Sequence, residues 1–277
     1  MTVMLLMVFA CLLPLASVMY TLLSQGLKTI NWSFLVGLPL QAPPGVGNAI
    51  LGSLLILFVA SCFAVPVGLL VGLYLSHGGG GPMTGPTRIL LDVMSGTPAI
   101  VVGMFINAMI VRPMRTSSLL AGGLALAMIM LPIFARTTEE AVRSIPDTVT
   151  EAGLALGLPR RRVILRVVLR GAIPAVLTGF FLALARVGGE AAPLLFTVAG
   201  SNYWPSHDLK DIATLSTVRE PIASLPVIIY EYAKSPFAEQ VSLAWGASLL
   251  LVIIILTIRL STHALVRWQY GQEGGHQ

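Results

Sequence analysis

Residues 54–75 read LLILFVASCFAVPVGLLVGLYL, an unbroken apolar run without a single charged side chain. An α-helix needs about 20 mostly apolar residues to cross the hydrocarbon core of a bilayer. The run therefore predicts a membrane-spanning helix. The rest of the chain has the same character, because 56% of its 277 residues are apolar and only 10% are charged. Soluble proteins carry about 25% charged residues, so most of this surface cannot face water.

Six apolar stretches are long enough to be spans. They lie at residues 2–23, 48–75, 89–111, 118–135, 172–198 and 241–263. The first lacks the positive leading segment of a signal peptide and is too long for one, so we interpret it as a spanning helix. The predicted fold is all-α, with six transmembrane helices in one membrane domain over residues 1–277.

The basic residues indicate how the chain is oriented. With the amino terminus inside, the cytoplasmic segments hold ten Lys and Arg residues and the external segments hold six. Seven of the ten lie between Arg136 and Arg170, and such a run is strongly disfavoured outside. Both termini are therefore predicted to be cytoplasmic. The net charge of +5 follows from this distribution. The arginines are not clustered with aromatic residues, so the charge does not indicate nucleic-acid binding.

Catalytic and metal-binding motifs are missing from the sequence. It has no G-x-x-x-x-G-K-[ST] loop for a nucleotide, no nucleophile elbow and no paired-carboxylate site. Cys11 and Cys62 lie inside apolar runs and do not form a disulfide framework. We therefore expect no metal, no cofactor and no enzymatic activity, so a partner must supply the energy for any active transport.

The cytoplasmic segment 136–171 predicts short helices joined by a turn. Thr137 and the acids after it are typical of a helix start, and Pro146 can begin a second piece. Gly157 can end that piece in the left-handed conformation. A helix after Pro159 would align three arginines at four-residue spacing: Arg162, Arg166 and Arg170. The expected helix–turn–helix lies at the inner membrane surface, and the residues alone also allow a simple amphipathic hairpin on lipid head groups.

Charged residues also occur inside two of the predicted spans. Arg186 and Glu190 are four apart in the fifth stretch, so they would share one helix face. Either they only lock the bundle, or Arg186 lines an anion pathway while Glu190 orients it and competes with the anion. Charges at membrane depth favour function. Asp92, one turn from Arg88, is expected to form an interfacial ion pair with it.

Glu151-Ala152-Gly153-Leu154-Ala155-Leu156-Gly157 fits the pattern E-A-x-x-x-x-G, which resembles the coupling loop of binding-protein-dependent ABC importers. Four further blocks, at residues 31–35, 96–103, 131–141 and 183–197, resemble PstA-type phosphate permeases and occur in the family order. Val167 and Arg170 depart from the isoleucine and proline that usually follow the loop.

The resemblance implies a type I ABC importer permease that forms the channel for inorganic phosphate. It implies four kinds of partner: a homologous second permease (PstC-like), two ATPase subunits (PstB-like), an external phosphate-binding protein (PstS-like) and membrane lipid. Glu151, Ala152 and Gly157 would couple the permease to the ATPase. Another oxyanion or an organic nutrient remains an alternative substrate. A secondary transporter is less favoured, because no internal repeat of broken helices is visible.

Overall fold

The computed structural model describes residues 1–77, 81–205 and 218–273. In this part of the chain, five helices are long and apolar enough to span a membrane, and a bent helix pair makes six if it forms one span. The all-α membrane fold is therefore confirmed. The glycines at 78–80 and the external residues 206–217, which include Lys210, lie outside the described residues.

Ten helices are labelled in chain order across the described residues. They are α1 (Thr2–Thr29), α2 (Trp32–Val36), α3 (Gly47–His77), α4 (Thr84–Gly96), α5 (Ala99–Met114), α6 (Leu119–Arg143), α7 (Asp147–Ala155), α8 (Arg160–Val187), α9 (Leu225–Tyr232) and α10 (Ala238–Glu273). The first, second and sixth predicted stretches correspond to α1, α3 and α10. Helix α1 extends beyond the predicted end, and α3 and α10 extend beyond both predicted bounds.

The core of the bundle lies between α3, α6 and α8. Its buried side chains include Ile56 and Ala60 of α3, Met130 and Phe134 of α6, and Ala183 of α8. Glycines let the helices approach closely, as is usual in membranes where small residues line helix contacts. A Cβ at Gly72 would lie 2.6 Å from the Cβ of Thr138, so this contact between α3 and α6 requires glycine.

The third span is broken, and its prediction as one helix over residues 89–111 was wrong. Helices α4 and α5 meet at an angle of 100°. The break lies at Thr97, which has an extended backbone (φ −73°, ψ 126°), and at Pro98. Proline lacks an amide hydrogen and disfavours the helical conformation of the residue before it. A π-helical turn at Asn107–Val111 then interrupts α5.

Helix α6 is longer than predicted. The sequence indicated a span ending at residue 135 and a new helix starting at Thr137, but the helix runs unbroken to Arg143. The Thr137 hydroxyl donates to the carbonyl of Phe134 inside this helix, and Thr138 is fully buried against α3. Tertiary packing therefore overrides the local capping signal. The first part of segment 136–171 therefore continues the fourth span.

The fifth span is displaced toward the amino terminus relative to its predicted bounds of 172–198. Helix α8 begins at Arg160 and ends at Val187. The predicted second helix of the hairpin and the membrane span are therefore one continuous rod, containing a π-helical turn at Ile164–Val168. Since the rise is about 1.5 Å per residue, the rod is about 40 Å long.

Candidate functional site

Helix α8 ends beside the apolar spans of α3 and α10 rather than beyond their ends. The Gly188 amide donates to the carbonyl of Leu184 at 2.9 Å, and the Glu190 amide donates to that of Val187 at 3.1 Å, which closes the helix. Glu190 therefore lies beyond the helix, and the prediction that it shares a helix face with Arg186 was wrong. Two consecutive glycines, at 188 and 189, and Pro193 account for the end because they favour irregular backbone.

The depth of this helix end follows from its neighbours in α3 and α10. A Cβ at Gly188 would lie 3.7 Å from Cδ1 of Leu57, and one at Gly189 would lie 3.5 Å from Cδ1 of Ile255. At about 1.5 Å per residue, Leu57 is about 15 Å from the start of α3 and Ile255 about 25 Å from the start of α10. Both distances place the end of α8 well inside the apolar spans.

Arg186 and Glu190 form an ion pair at this helix end. The Arg186 side chain is 59% exposed, whereas the Glu190 side chain is only 17% exposed. A guanidinium at membrane depth normally faces a bundle interior or a water-filled cavity, because contact with lipid is costly. The arginine therefore requires water or another protein subunit beside it, and its free N–H groups can bind an anion there.

The irregular segment after α8 is held by hydrogen bonds from other elements. The Asn107 side-chain amide donates to the carbonyl of Phe196 at 2.6 Å, and the Ser118 amide donates to that of Thr197 at 3.0 Å. Pro193 packs against Gly103, where a Cβ would lie 2.6 Å from the proline Cα. Non-helical backbone at this depth is tolerated only when protein or water satisfies it. Asn107 was missed by sequence reasoning, and a lone amide within an apolar run was its only signal.

The predicted coupling residues lie on a compact hairpin formed by α7 and the start of α8. Gly157 has φ +78°, and its amide donates to the carbonyl of Leu154 at 2.9 Å. Gly153 packs against Val163, where a Cβ would lie 2.9 Å from Cγ1. Glu151 and Ala152 are exposed. The hairpin therefore has a packed inner face and a free outer face.

We expect Gly157→Val to disrupt the hairpin without blocking insertion of the spans. Nothing lies within 4 Å of a Cβ placed there, so the variant tests backbone conformation and not packing. A β-branched residue adopts positive φ only with strain, whereas asparagine tolerates it. Membrane levels should stay normal in Gly157→Val and in the control Gly157→Asn. Co-purification of the ATPase should fall for Gly157→Val but not for Gly157→Asn. Equal binding by both variants would contradict a role for the turn geometry.

Two arginines attach the hairpin region to the end of α3. Arg143 donates to the carbonyl of Leu75 at 3.2 Å, and Arg160 donates to that of His77 at 3.2 Å. Cations at a helix carboxyl terminus satisfy its free carbonyls and its dipole. The end of α3 is therefore bound to both α6 and the hairpin.

A buried carboxylate lies at the centre of an ion-pair cluster near this end of the bundle. Glu139, 6% exposed, pairs with Arg88 at 2.6 Å, with Arg143 at 3.0 Å and with Arg136 at 3.5 Å. Asp92 pairs with Arg136 at 2.6 Å. The prediction of an Arg88–Asp92 pair was therefore wrong, because α6 provides closer partners for both residues. The cluster joins α4 to α6.

The structure brings together the members of each predicted site but keeps the two sites apart. Arg186 and Glu190 are in contact, and Glu151, Ala152 and Gly157 share one hairpin. Helix α8 separates the groups by about 40 Å, given a rise of about 1.5 Å per residue. A single helix, α8, thus connects the Arg186–Glu190 pair to the exposed hairpin.

Comparison with known proteins agrees with this architecture. Residues 64–270 match the model of the family described as "Binding-protein-dependent transport system inner membrane component". The chain is 40% identical to phosphate transport system permease protein PstA of Yersinia pestis, over 80% of this chain and 72% of that protein. It is 37% identical to the Xylella fastidiosa Temecula1 PstA, over 89% and 84% of the two chains.

Similar agreement comes from an archaeal relative and from a solved structure. A probable PstA of Methanocaldococcus jannaschii is 37% identical over 89% of this chain and 85% of that protein. An inward-facing structure of the MetNI methionine ABC transporter superposes with a TM-score of 0.61 at 20% identity, covering 80% of this chain and 93% of that chain. At that identity the likeness shows the fold alone. The chain belongs to the family of binding-protein-dependent transport system inner membrane components, and within it to the PstA-type permeases.

Proposed function

We propose that this chain is the channel-forming subunit of an ATP-driven importer of inorganic phosphate. The observation that carries the proposal is the Arg186–Glu190 pair, which lies beside the apolar spans of α3 and α10 with the arginine more than half exposed. A cation in this position suits an anionic solute, and the permease relatives are named for phosphate transport. Phosphate is therefore the substrate that fits both the site and the family.

Arg186 would receive the phosphate, and Glu190 would keep the interaction reversible. The guanidinium offers planar, charge-assisted donors that match phosphate oxygens. The neighbouring carboxylate holds these donors when the anion is absent and competes for them when it is bound. This competition prevents an excessively tight complex and allows release. The exposed side of the arginine would face a water-filled cavity that a homologous second permease (PstC-like) completes.

Coupling to ATP would use the hairpin formed by α7 and the start of α8. Two ATPase subunits (PstB-like) would bind the exposed face around Glu151 and Ala152, and closure of their dimer on ATP would draw the hairpins together. Because α8 is one continuous helical rod from Arg160 to Val187, displacement of the hairpin would move the Arg186 position. The cavity would open outward on ATP binding and return after hydrolysis.

The membrane location of the chain and the subunit that hydrolyses ATP complete the proposal. The chain would lie in the bacterial inner membrane with both termini in the cytoplasm, which places the arginine-rich hairpin inside as the charge rule favours. A phosphate-binding protein (PstS-like) would deliver the anion at the opposite face. The permease would not catalyse a reaction, since hydrolysis would belong to the ATPase subunits.

Substrate selection tests the proposal against its main alternative, a permease for another oxyanion or an organic nutrient. The complete importer with its binding protein is reconstituted in liposomes that contain ATP, and uptake of radiolabelled phosphate is measured. Excess unlabelled phosphate should suppress the signal, whereas equal excesses of sulfate or an amino acid should not. Transport of sulfate or an amino acid in place of phosphate would overturn the assignment.

A further inference from the structure

The carboxyl-terminal end of α3 and the start of α8 enclose a groove that the proposed transport function does not use. The groove has a volume of about 460 Å³, and its wall is formed largely by Leu70, Leu73, Tyr74, Ile164 and Leu165. Leu70 is 67% exposed and Leu165 is 45% exposed. His77, Arg160 and Arg161 also line it. The groove therefore combines an open apolar surface with a cationic edge.

A second groove continues from the first along α8. It has a volume of about 500 Å³ and shares Leu165 with the first. Its other lining residues are two aliphatic side chains, Leu169 and Ile173, and two arginines, Arg166 and Arg170. No acidic residue lines either groove among the described residues. The joined surface thus carries positive charge beside exposed aliphatic side chains.

Three of these arginines have no protein partner. Within residues 1–77, 81–205 and 218–273, Arg161, Arg166 and Arg170 make neither a hydrogen bond nor an ion pair, in contrast to Arg160, which holds the carbonyl of His77. All three are exposed. Unpaired guanidinium groups beside apolar surface are suited to a ligand that has an anionic head and an apolar body.

The position of the grooves favours one occupant. His77 is the last residue of one span and Arg160 the first of another, so the grooves lie where lipid head groups meet the acyl region. Basic pockets between helices at this depth bind anionic lipid head groups. We infer that the two grooves form a binding site for an anionic phospholipid, with its phosphate on Arg161 and Arg166 and an acyl chain against Leu70 and Leu73.

The hairpin has two surfaces with different chemistry. The outer face of α7, with Glu151 and Ala152, stays free for a protein partner, while the α8 side rests on lipid. A bound phospholipid would hold the hairpin at a fixed height relative to the membrane. The inference depends on the membrane location of the spans and not on the identity of the transported solute.

Spin-labelled lipids measure this binding directly. The complete complex is placed in phosphatidylcholine vesicles, and the motionally restricted fraction is compared for spin-labelled phosphatidylglycerol and phosphatidylcholine. The parent should prefer phosphatidylglycerol, at about fivefold per groove arginine. Arg161→Gln combined with Arg166→Gln should reduce the preference about 25-fold, because Arg170 still lines the second groove. Leu165→Glu, which introduces a negative charge into both grooves, should also reduce it.

The neighbouring Arg162 provides a matched control, because it is exposed on the same helix but lines neither groove. Arg162→Gln should keep the preference of the parent. An equal loss in this control, or a full preference in the groove variants, would overturn the proposal. Displacement of the labelled lipid by millimolar inorganic phosphate would also overturn it, since the site would then bind the free anion. Unchanged preference with phosphate present would support it.

Discussion

Replacing Arg186 with glutamine is expected to reduce phosphate uptake on the order of 100-fold, because a charge-assisted hydrogen bond to the passing anion is lost. The side chain is 59% exposed, so its truncation should not open the packed core. The complex should therefore still assemble and still hydrolyse ATP. Uptake into proteoliposomes and the yield of purified complex are measured together.

The variant carrying both Arg186→Gln and Glu190→Gln distinguishes the pathway role from a structural ion pair. If the pair only locks the bundle, the single change leaves Glu190 unpaired and reduces assembly, and the double change restores both assembly and transport. We expect assembly without transport in both variants. Arg259→Gln changes an exposed arginine in the second half of α10; it controls for loss of one positive charge and should transport like the parent. Recovery of transport in the double variant would contradict the pathway role.

Replacing Glu139 with alanine is expected to destabilise the permease by about 2 to 3 kcal/mol. Removal of a buried ion partner typically costs about 3–5 kcal/mol, and the partial exposure of the three arginines reduces that figure through solvent screening. Three guanidinium groups would then face one another without the carboxylate between them. The thermal midpoint and the membrane yield of the complex measure the loss, and Glu139→Gln should fall between alanine and the parent.

Glu140 supplies the matched control for this change. It follows Glu139 directly in α6 and carries the same charge, but it is exposed and has no ion pair within the described residues. Glu140→Ala should change the free energy of unfolding by no more than about 0.5 kcal/mol relative to the parent, as is usual for surface changes. If the two alanine variants have equal stability, the cluster around Glu139 is not a structural centre.

The spans could be located from the sequence wherever a charge-free run defines them. Helix α3 lies within two residues of its predicted bounds because nothing in the run competes with a spanning helix. The predicted end of the fourth span was wrong, because the capping signals at Thr137 are local and contain no information on tertiary contacts. Thr138 packs against Gly72 of α3, and that contact keeps the helix continuous to Arg143.

The charged residues show the same limit of sequence reasoning. The spacing of Arg186 and Glu190 predicted their proximity, but only the fold shows that the helix ends between them and at what depth. Arg88 and Asp92 were paired by spacing along one helix. Their partners in the structure are Glu139 and Arg136, about 50 positions later, which no local pattern could identify. The coupling roles of Glu151, Ala152 and Gly157 stay predictions.

The central claim is that this chain forms the anion path of a phosphate importer and depends on partner subunits for energy. The most direct measurement is accumulation of radiolabelled phosphate in proteoliposomes that hold the complete complex, the binding protein and ATP. Parallel samples omit ATP, omit this chain, or contain this chain alone. We predict accumulation above the external concentration only in the complete sample. ATP-dependent accumulation by this chain alone, or undiminished accumulation without it, would contradict the claim.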